Sequence, residues 1–260
     1  MPRETIQGLL EVAARPVLEV MPERAPVDHL YQPDVTDEEI RAHGTMSEDP
    51  ADLVAEVERH TEWASVLERT PFGDFGELND VGLRVFSLVL RGSIRAALSG
   101  VFAGEPHTLD IRGYSDGAAA LVWCWRHDGA ASFRGSEFAA FPELILDMLP
   151  TVADGVSETV RITSDDEGVV DEGQDDKIGS VLDFLARKRV GTIVVDLVAF
   201  GGLCAEFPEH GFVIVDNDLG RHVLAAAKID GQRELVLAKL SRRALSGWLR
   251  RNVETGRTGL

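Results

Sequence analysis

The residues that could do chemistry are scattered along this chain, and their spacing matches no common catalytic arrangement. Asp216 and Asp218 could form a metal-binding pair, but aspartates in such a sequence more often hydrogen-bond to their own backbone, so we expect them to cap a turn. None of the seven histidines lies four residues from another with a glutamate between, as in zinc proteases. His127 and His222 lie beside predicted turns or strands, where hydrogen-bonded or solvated histidines are usual.

Other reactive residue types also lack the context that catalysis would need. Gly201-Gly202 is followed by no suitably spaced lysine and no helix start, so it does not match a phosphate-binding loop. Gly135-Ser136-Glu137 does not match a nucleophile elbow. Cys204 could act as a nucleophile only beside a histidine, which the sequence does not identify. We therefore expect a protein that is not an enzyme and needs no cofactor or metal, with an uncharacterised enzyme as the less favoured alternative.

Composition indicates a folded, acidic protein. The 260 residues are 44% apolar and 27% charged, which is enough apolar material for a sizeable core. The formal net charge of -18 repels phosphate backbones and anionic bilayers, so nucleic acid and membrane surfaces are poor partners. The same charge favours solubility and can attract basic partners.

Cysteine use and the N-terminal residues predict a cytoplasmic protein. Cys124 and Cys204 have apolar neighbours and no metal-ligand spacing, so we expect reduced, buried thiols. No apolar segment follows Met1–Thr5, which predicts the absence of a signal peptide. No stretch approaches the roughly 20 apolar residues that a membrane-spanning helix needs.

The first hundred residues carry mainly helical patterns. Apolar spacing predicts a helix over 5–21, and Pro16 should end or kink it. If 1–35 is a peripheral addition, its deletion should leave the fold intact. Further along, we expect an irregular connection at 22–36, a short helix after Thr36, and helices over about 49–70 and 77–100.

From residue 107 the hydrophobic period changes to two, which predicts strands. Turn signals at Ser115-Asp116-Gly117 and His127-Asp128-Gly129 divide three strands, and a helix over 136–149 follows and ends at Pro150. After a strand over 156–163, an acidic run over 164–176 is expected to be a mobile loop because like charges oppose compact packing.

The second half repeats this order. A helix over 177–189 and a strand over 192–200 precede two further hairpins, with turns at Asp218-Leu219-Gly220 and Asp230-Gly231, and a helix over 240–253. We interpret the two stretches as an internal repeat, although strand–strand–strand–helix order is common enough to arise by coincidence. The predicted fold class is α+β: a central antiparallel sheet built from two pseudo-symmetric β-meander-plus-helix halves, flanked by helical bundles.

The repeat defines the expected organisation of the chain. The predicted regions are an N-terminal helical region of the same domain (1–105), a first meander half (106–163), the acidic loop (164–176), a second half (177–253) and a flexible tail (254–260).

The repeated stretches resemble the EspG family of type VII (ESX) secretion chaperones. Leu109–Arg112 through Leu149-Pro150 resembles the first-half signature of a strand, an Ala- and Val-rich strand, a helix and a closing Leu-Pro. Val213–His222 resembles the second-half hairpin, a valine-rich strand followed by Asp-Thr and then Gly-Arg and an aromatic residue. Here Asn217 replaces the Thr and His222 replaces the aromatic residue, and the resemblance covers roughly 105–253.

The resemblance implies a cytosolic chaperone that binds the hydrophobic helical tip of PE–PPE-type substrates and keeps them soluble for secretion. An apolar groove can cover such a tip, and a charged rim would set specificity. Our candidate apolar contacts are Phe184, Phe200, Leu203 and Phe207. The candidate contacts in the meander loop are Tyr114 and Asp116. Each has an ordinary alternative role, in core packing for the first four residues and in turn formation for the last two.

A second function class fits the same composition. Immunity or inhibitor proteins that block a basic toxin domain are often acidic α+β proteins, and the net charge of -18 agrees with that reading. A tight, salt-sensitive complex with a basic toxin domain would distinguish this alternative from a chaperone for PE–PPE-type helical pairs.

Overall fold

The computed structural model of the chain describes most of the residues that form the predicted repeat. The described residues are 5–21, 73–74, 77–78, 80–81, 84–85, 88, 94–103, 107–126, 131–165, 167–199, 211–229 and 232–258. The helices predicted after Thr36 and over 49–70 lie outside them, as does the connection at 22–36.

The described residues form helices and strands in a mixed order. The helices are α1 (Ile6–Val20), α2 (Phe141–Leu146, preceded by a 3-10 turn at Phe138–Ala140), α3 (Asp175–Ala186) and α4 (Arg242–Thr258). The strands are β1 (Gly73–Asp74), β2 (Glu77–Leu78), β3 (Ile94–Phe102), β4 (His107–Ser115), β5 (Ala119–Arg126), β6 (Ala131–Glu137), β7 (Val160–Ser164), β8 (Arg189–Ala199), β9 (Gly211–Asn217), β10 (Gly220–Ile229) and β11 (Gln232–Lys239).

Nine of these strands form one antiparallel sheet, in the order β6-β5-β4-β3-β8-β9-β10-β11-β7. The hairpins β3–β6 extend to one side of the centre and β8–β11 to the other. The two series meet where β3 pairs with β8, with Leu98 opposite Val195. The short strands β1 and β2 form a separate hairpin. The α+β class with a central antiparallel sheet is therefore confirmed for the described residues.

One face of the sheet is covered by α2 and α4. Phe141 and Ile145 from α2, and Leu245 and Leu249 from α4, share one apolar cluster with strand residues such as Ile111. The two helices also meet through polar contacts, because the Ser246 hydroxyl donates to Glu143 at 2.5 Å and Arg242 to Asp147 at 2.6 Å. The helices that follow the two meanders thus pack together over the same side of the sheet.

The opposite face is covered over β8–β11 by α1 and α3. Ile6, Leu10 and Val17 are fully buried in a cluster that includes Phe184 from α3. A helix with this much buried apolar surface belongs to the core, so the described part of the N-terminal segment, 5–21, is not a peripheral addition.

α1 continues through Pro16, where we expected the helix to end or kink. Proline lacks the N–H that would bond the carbonyl four residues earlier, which here is that of Val12. The Arg189 guanidinium donates to the Val12 carbonyl at 3.2 Å and to the Ala13 carbonyl at 2.7 Å. The arginine therefore supplies the missing donor, and the helix runs on to Val20.

The prediction of one helix over 77–100 is wrong in its last part. The described residues 80–81, 84–85 and 88 are helical, but 94–102 form β3 at the centre of the sheet. Ile94, Ala96 and Leu98 are buried on one side of the strand. Ile94, Ala97 and Leu98 nevertheless satisfy a helical spacing over such a short run, and the pairing with β4 and β8 that selects the strand is not visible locally.

The acidic run over 164–176 packs against neighbouring segments of the fold. The Gly168 carbonyl accepts a 3.0 Å hydrogen bond from the N–H of Ile6. Val170 and Gln174 are buried, and the Gln174 amide bonds both the N–H and the carbonyl of Thr163. The Asp165 carboxylate accepts the N–H groups of Glu167 and Val169. The expectation of a loop without compact packing is therefore wrong for the described residues, because several acids are used in local hydrogen bonds.

Candidate partner-binding site

The β4–β5 hairpin tip carries two of the candidate contact residues, Tyr114 and Asp116. The turn is fixed by its own side chains: the Ser115 hydroxyl donates to the Ala119 carbonyl at 2.6 Å and accepts the N–H of Gly117 at 3.1 Å. Gly117 has a φ of 88°, which favours glycine. The turn signal at 115–117 therefore corresponds to a well-bonded hairpin tip.

Asp116 is exposed and caps this turn. Its Oδ1 accepts the N–H groups of Ala118 at 2.9 Å and Ala119 at 2.8 Å. The hydrogen bond from Ala119, assisted by that from Ala118, lowers the pKa of the Asp116 carboxyl below its ordinary value of 3.8. The side chain is therefore a fixed negative charge at neutral pH, available to a basic group on a partner.

Tyr114 belongs to an aromatic cluster on the face of the sheet opposite α2. Its ring lies 5.3 Å from the fully buried ring of Trp123, which also contacts Trp125 at 5.0 Å and Phe133 at 5.7 Å. Tyr114 itself is half-buried, so part of its side chain remains accessible beside the hairpin tip. Its position fits both the predicted contact role and the alternative role in packing.

Phe184 lies on α3 and is almost fully buried. Its ring meets His222 edge to face, with centroids 4.7 Å apart. Phe184 also lines a groove, and it belongs to a different apolar cluster from Tyr114. Phe200, Leu203 and Phe207 lie outside the described residues, as do Gly201-Gly202, Cys204 and His127.

The groove beside Phe184, called the α3 groove below, has a volume of about 280 Å³. It lies between α3, the segment before β7 and the β9–β10 turn. The residues that line it are Ser157, Glu158, Val160, Ser180, Asp183, Phe184, Arg187, Leu219 and Leu237.

The two aspartates of the β9–β10 hairpin form ion pairs instead of the expected turn caps. Asp216 is fully buried and pairs with Arg221 through two hydrogen bonds of 2.8 and 2.7 Å. Asp218 pairs with Arg187 at the C-terminal end of α3. The cap is made by Asn217, whose side chain accepts the N–H of Leu219 at 2.9 Å. The turn was predicted in the right place, but the capping residue was not.

His222 is fully buried behind the α3 groove. Its Nδ1 lies 3.2 Å from the Gly220 carbonyl, and Nε2 has no hydrogen-bond partner among the described residues. Burial lowers the pKa of His222, against smaller opposing effects of the Gly220 carbonyl and Asp216. His222 stands where the second-half hairpin signature has an aromatic residue. It packs on Phe184 as a neutral core side chain.

The described residues offer little for metal or redox chemistry. Across the described ranges, no group of three or more His, Cys, Asp or Glu side chains is arranged to hold a metal ion. Cys124 is a buried thiol in β5, as predicted. In the part of the chain that the structure describes, no helix is long and apolar enough to cross a membrane.

Sequence reasoning missed the residues that shape the groove rim. Glu158 and Asp183 are isolated acids in an acidic chain, and nothing in their spacing distinguishes them. The mutual approach of Phe184 and Leu219 depends on α3 packing beside the β9–β10 turn, a contact between distant segments. Among the residues that line the groove, only Phe184 was predicted as a contact.

No protein-family model matches the chain, and no curated protein matches it. One solved structure with a related arrangement is the Mycobacterium tuberculosis type VII secretion system chaperone EspG5 in complex with the PE25–PPE41 dimer. The two share 9% identity and a TM-score of 0.45, over 81% of this chain and 85% of the other.

Proposed function

We propose that this protein is a cytosolic chaperone that binds the hydrophobic helical tip of a PE–PPE-type pair and keeps it soluble for type VII (ESX) secretion. The observation that carries the proposal is the strand order around the β3–β8 pair, in which each series of hairpins ends in a helix on the same face. This is the arrangement that the sequence resemblance to EspG proteins implies. It supports a pseudo-twofold relation between β3–β6 with α2 and β8–β11 with α4.

Two residues that carry the resemblance to EspG proteins contact each other in the structure, which supports the proposal. The Arg221 guanidinium donates to the Pro150 carbonyl at 3.1 Å. Arg221 belongs to the second-half Gly-Arg pair and Pro150 to the first-half Leu-Pro. Both signatures therefore have a structural reason, because they join the segment after α2 to β10 at one partly buried contact.

The proposed contact surface includes the β4–β5 hairpin tip and the surface near α3. Asp116 presents a fixed negative charge beside the half-buried Tyr114, and Phe184 lines an apolar groove. Apolar contacts would supply affinity for a helical tip, while acidic groups would select basic neighbours on it. Phe200, Leu203 and Phe207 complete the proposed set of contacts.

The experiment is co-expression with a PE–PPE-type pair encoded in the same genome, followed by affinity capture and titration of the recovered complex. Asp116→Asn keeps an oxygen that can cap the turn and removes the charge, while Glu167→Gln removes an equally exposed charge far along the chain. We expect Asp116→Asn to weaken binding and reduce its salt dependence, with Glu167→Gln unchanged. Capture of a basic toxin domain from the native host lysate, with no binding of the helical pair, would favour the immunity-protein alternative.

A further inference from the structure

The α3 groove combines an apolar floor with an acidic rim. The floor residues are Val160, Phe184, Leu219 and Leu237. At the rim, Glu158 and Asp183 are exposed carboxylates, and neither makes an ion pair with the described part of the chain. A third rim charge, Arg187, is already engaged by Asp218. The groove therefore offers negative charge without a compensating cation at its open side.

Apolar surface continues from the floor onto an exposed residue. Val156 is 74% exposed and is the most exposed large hydrophobic side chain among the described residues. Its N–H donates to the Leu219 carbonyl at 3.1 Å, which fixes it next to the β9–β10 turn at the groove. The exposed valine extends the apolar surface of the groove beyond its floor.

The walls of the groove are held in place from behind. Phe184 packs against the buried His222, and Leu219 is fixed by the Asn217 cap. Arg187 and Asp218 join the end of α3 to the β9–β10 turn. Binding to a site with fixed walls loses less conformational entropy than binding to a site that must first become ordered.

Size and charge decide between possible occupants. Small-molecule pockets usually span about 300–1,000 Å³, and the 280 Å³ of this groove falls just below that range. It is large enough for one big side chain. Nucleic acid and a second copy of this acidic chain would both bring negative charge to the carboxylates, at a net charge of -18 per chain.

We propose that the α3 groove binds one large apolar side chain of a helical protein partner, with a lysine or arginine one turn away that pairs with Glu158 and Asp183. The inference relies on the proposed function only in taking a helix as the partner. The apolar side chain would cover Leu219 and extend over Val156, and the cation would replace water around the two rim carboxylates. This geometry recognises a phenylalanine or leucine followed by a basic residue at i+3 or i+4.

The test uses two stapled helical peptides of about 15 residues, a length near the limit for stable isolated helices. They are identical in charge and carry Phe and Lys at i and i+4, or Ala and Lys at the same positions. Each is titrated into the isotope-labelled full chain and followed by amide NMR shifts. Ser180→Trp fills the groove from an exposed position of α3, and Ala244→Trp adds the same side chain at an exposed position of α4.

The Phe peptide should shift groove amides such as that of Leu219 and bind roughly tenfold or more tightly than the Ala peptide. Ser180→Trp should abolish these shifts while Ala244→Trp leaves them. The double variant Glu158→Gln/Asp183→Asn should weaken binding and flatten its salt dependence, unlike Glu137→Gln/Glu167→Gln.

Absence of groove shifts, or equal binding of the two peptides, would overturn the proposal. Groove binding that survives Ser180→Trp would overturn it as well. Because this test needs no PE–PPE-type protein, groove binding together with failure to recover such a pair would reject the secretion role and leave the groove assignment standing.

Discussion

The guanidinium of Arg221 donates a 3.1 Å hydrogen bond to the carbonyl of Pro150. The same side chain forms a buried ion pair with Asp216 through two hydrogen bonds. Pro150 lies in the segment after α2, and Arg221 is the second residue of β10. A single arginine thus joins the segment after α2 to β9 and β10.

Loss of the Arg221 side chain should therefore destabilise the whole domain. Arg221→Met leaves the Asp216 carboxylate buried without its partner, and breaking such a pair costs about 3–5 kcal/mol. Urea unfolding followed by circular dichroism would measure the change. Arg187→Met is the matched control, because Arg187 and Asp218 are both exposed and the loss should be far smaller. Equal losses in the two variants would contradict the structural role of Arg221.

The contact of Arg189 with α1 predicts coupling to Pro16. Arg189→Met removes donors from the Val12 and Ala13 carbonyls, and each unpaired buried acceptor costs about 1–3 kcal/mol. Pro16→Ala restores the N–H that bonds Val12 within the helix, so the Arg189 substitution should cost less in that background. A double-mutant cycle of unfolding free energies measures the difference. Strict additivity would show that Arg189 does not compensate for the proline.

His222 predicts a loss of stability at acidic pH. Its pKa is lowered in the folded state, so the unfolded chain binds the proton more readily. The stabilising effect is complete above the unfolded pKa of about 6.5 and is lost as the pH falls towards the folded value. Unfolding free energies measured between about pH 5 and 8 should fall on the acid side, and His222→Gln should flatten this slope. An unchanged slope in the variant would assign the acid sensitivity to other groups.

Gly113 predicts a specific cost for an added methyl group. A Cβ at this position in β4 would lie 2.7 Å from the ring of Phe141, which is fully buried in α2. Gly113→Ala should therefore destabilise the fold by about 1–3 kcal/mol through overpacking. Gly179→Ala is the control, since a Cβ there would meet nothing within 4 Å and should stabilise α3 by up to about 1 kcal/mol. The same sign of effect in both variants would contradict this packing.

Local patterns were enough to place most of the sheet. The hairpin at Ser115-Asp116-Gly117 and the β9–β10 turn follow from glycine positions and alternating apolar residues, and both are present. α1 and α3 follow from helical spacing. These elements have signals within their own sequence, because turn geometry and helix periodicity depend on neighbouring residues.

Features that depend on distant contacts were not accessible in this way. Residues 94–100 were predicted as helix because Ile94, Ala97 and Leu98 continue a helical spacing, whereas pairing with β4 and β8 makes them a strand. Pro16 was expected to end or kink α1, because the Arg189 side chain that compensates for the missing N–H lies far along the chain. The rim of the α3 groove likewise combines Glu158 and Asp183 from separate segments. Tertiary context overrides local preference in each case.

The most direct test of the proposed function is the assembly of the full chain with a PE–PPE-type pair. The three proteins are co-expressed, and the soluble fraction is analysed by size-exclusion chromatography with light scattering. The proposal predicts one complex of all three proteins, and more of the pair in solution than when it is expressed alone. A well-folded chain that elutes separately from the pair, with no gain in the solubility of the pair, would contradict the chaperone function.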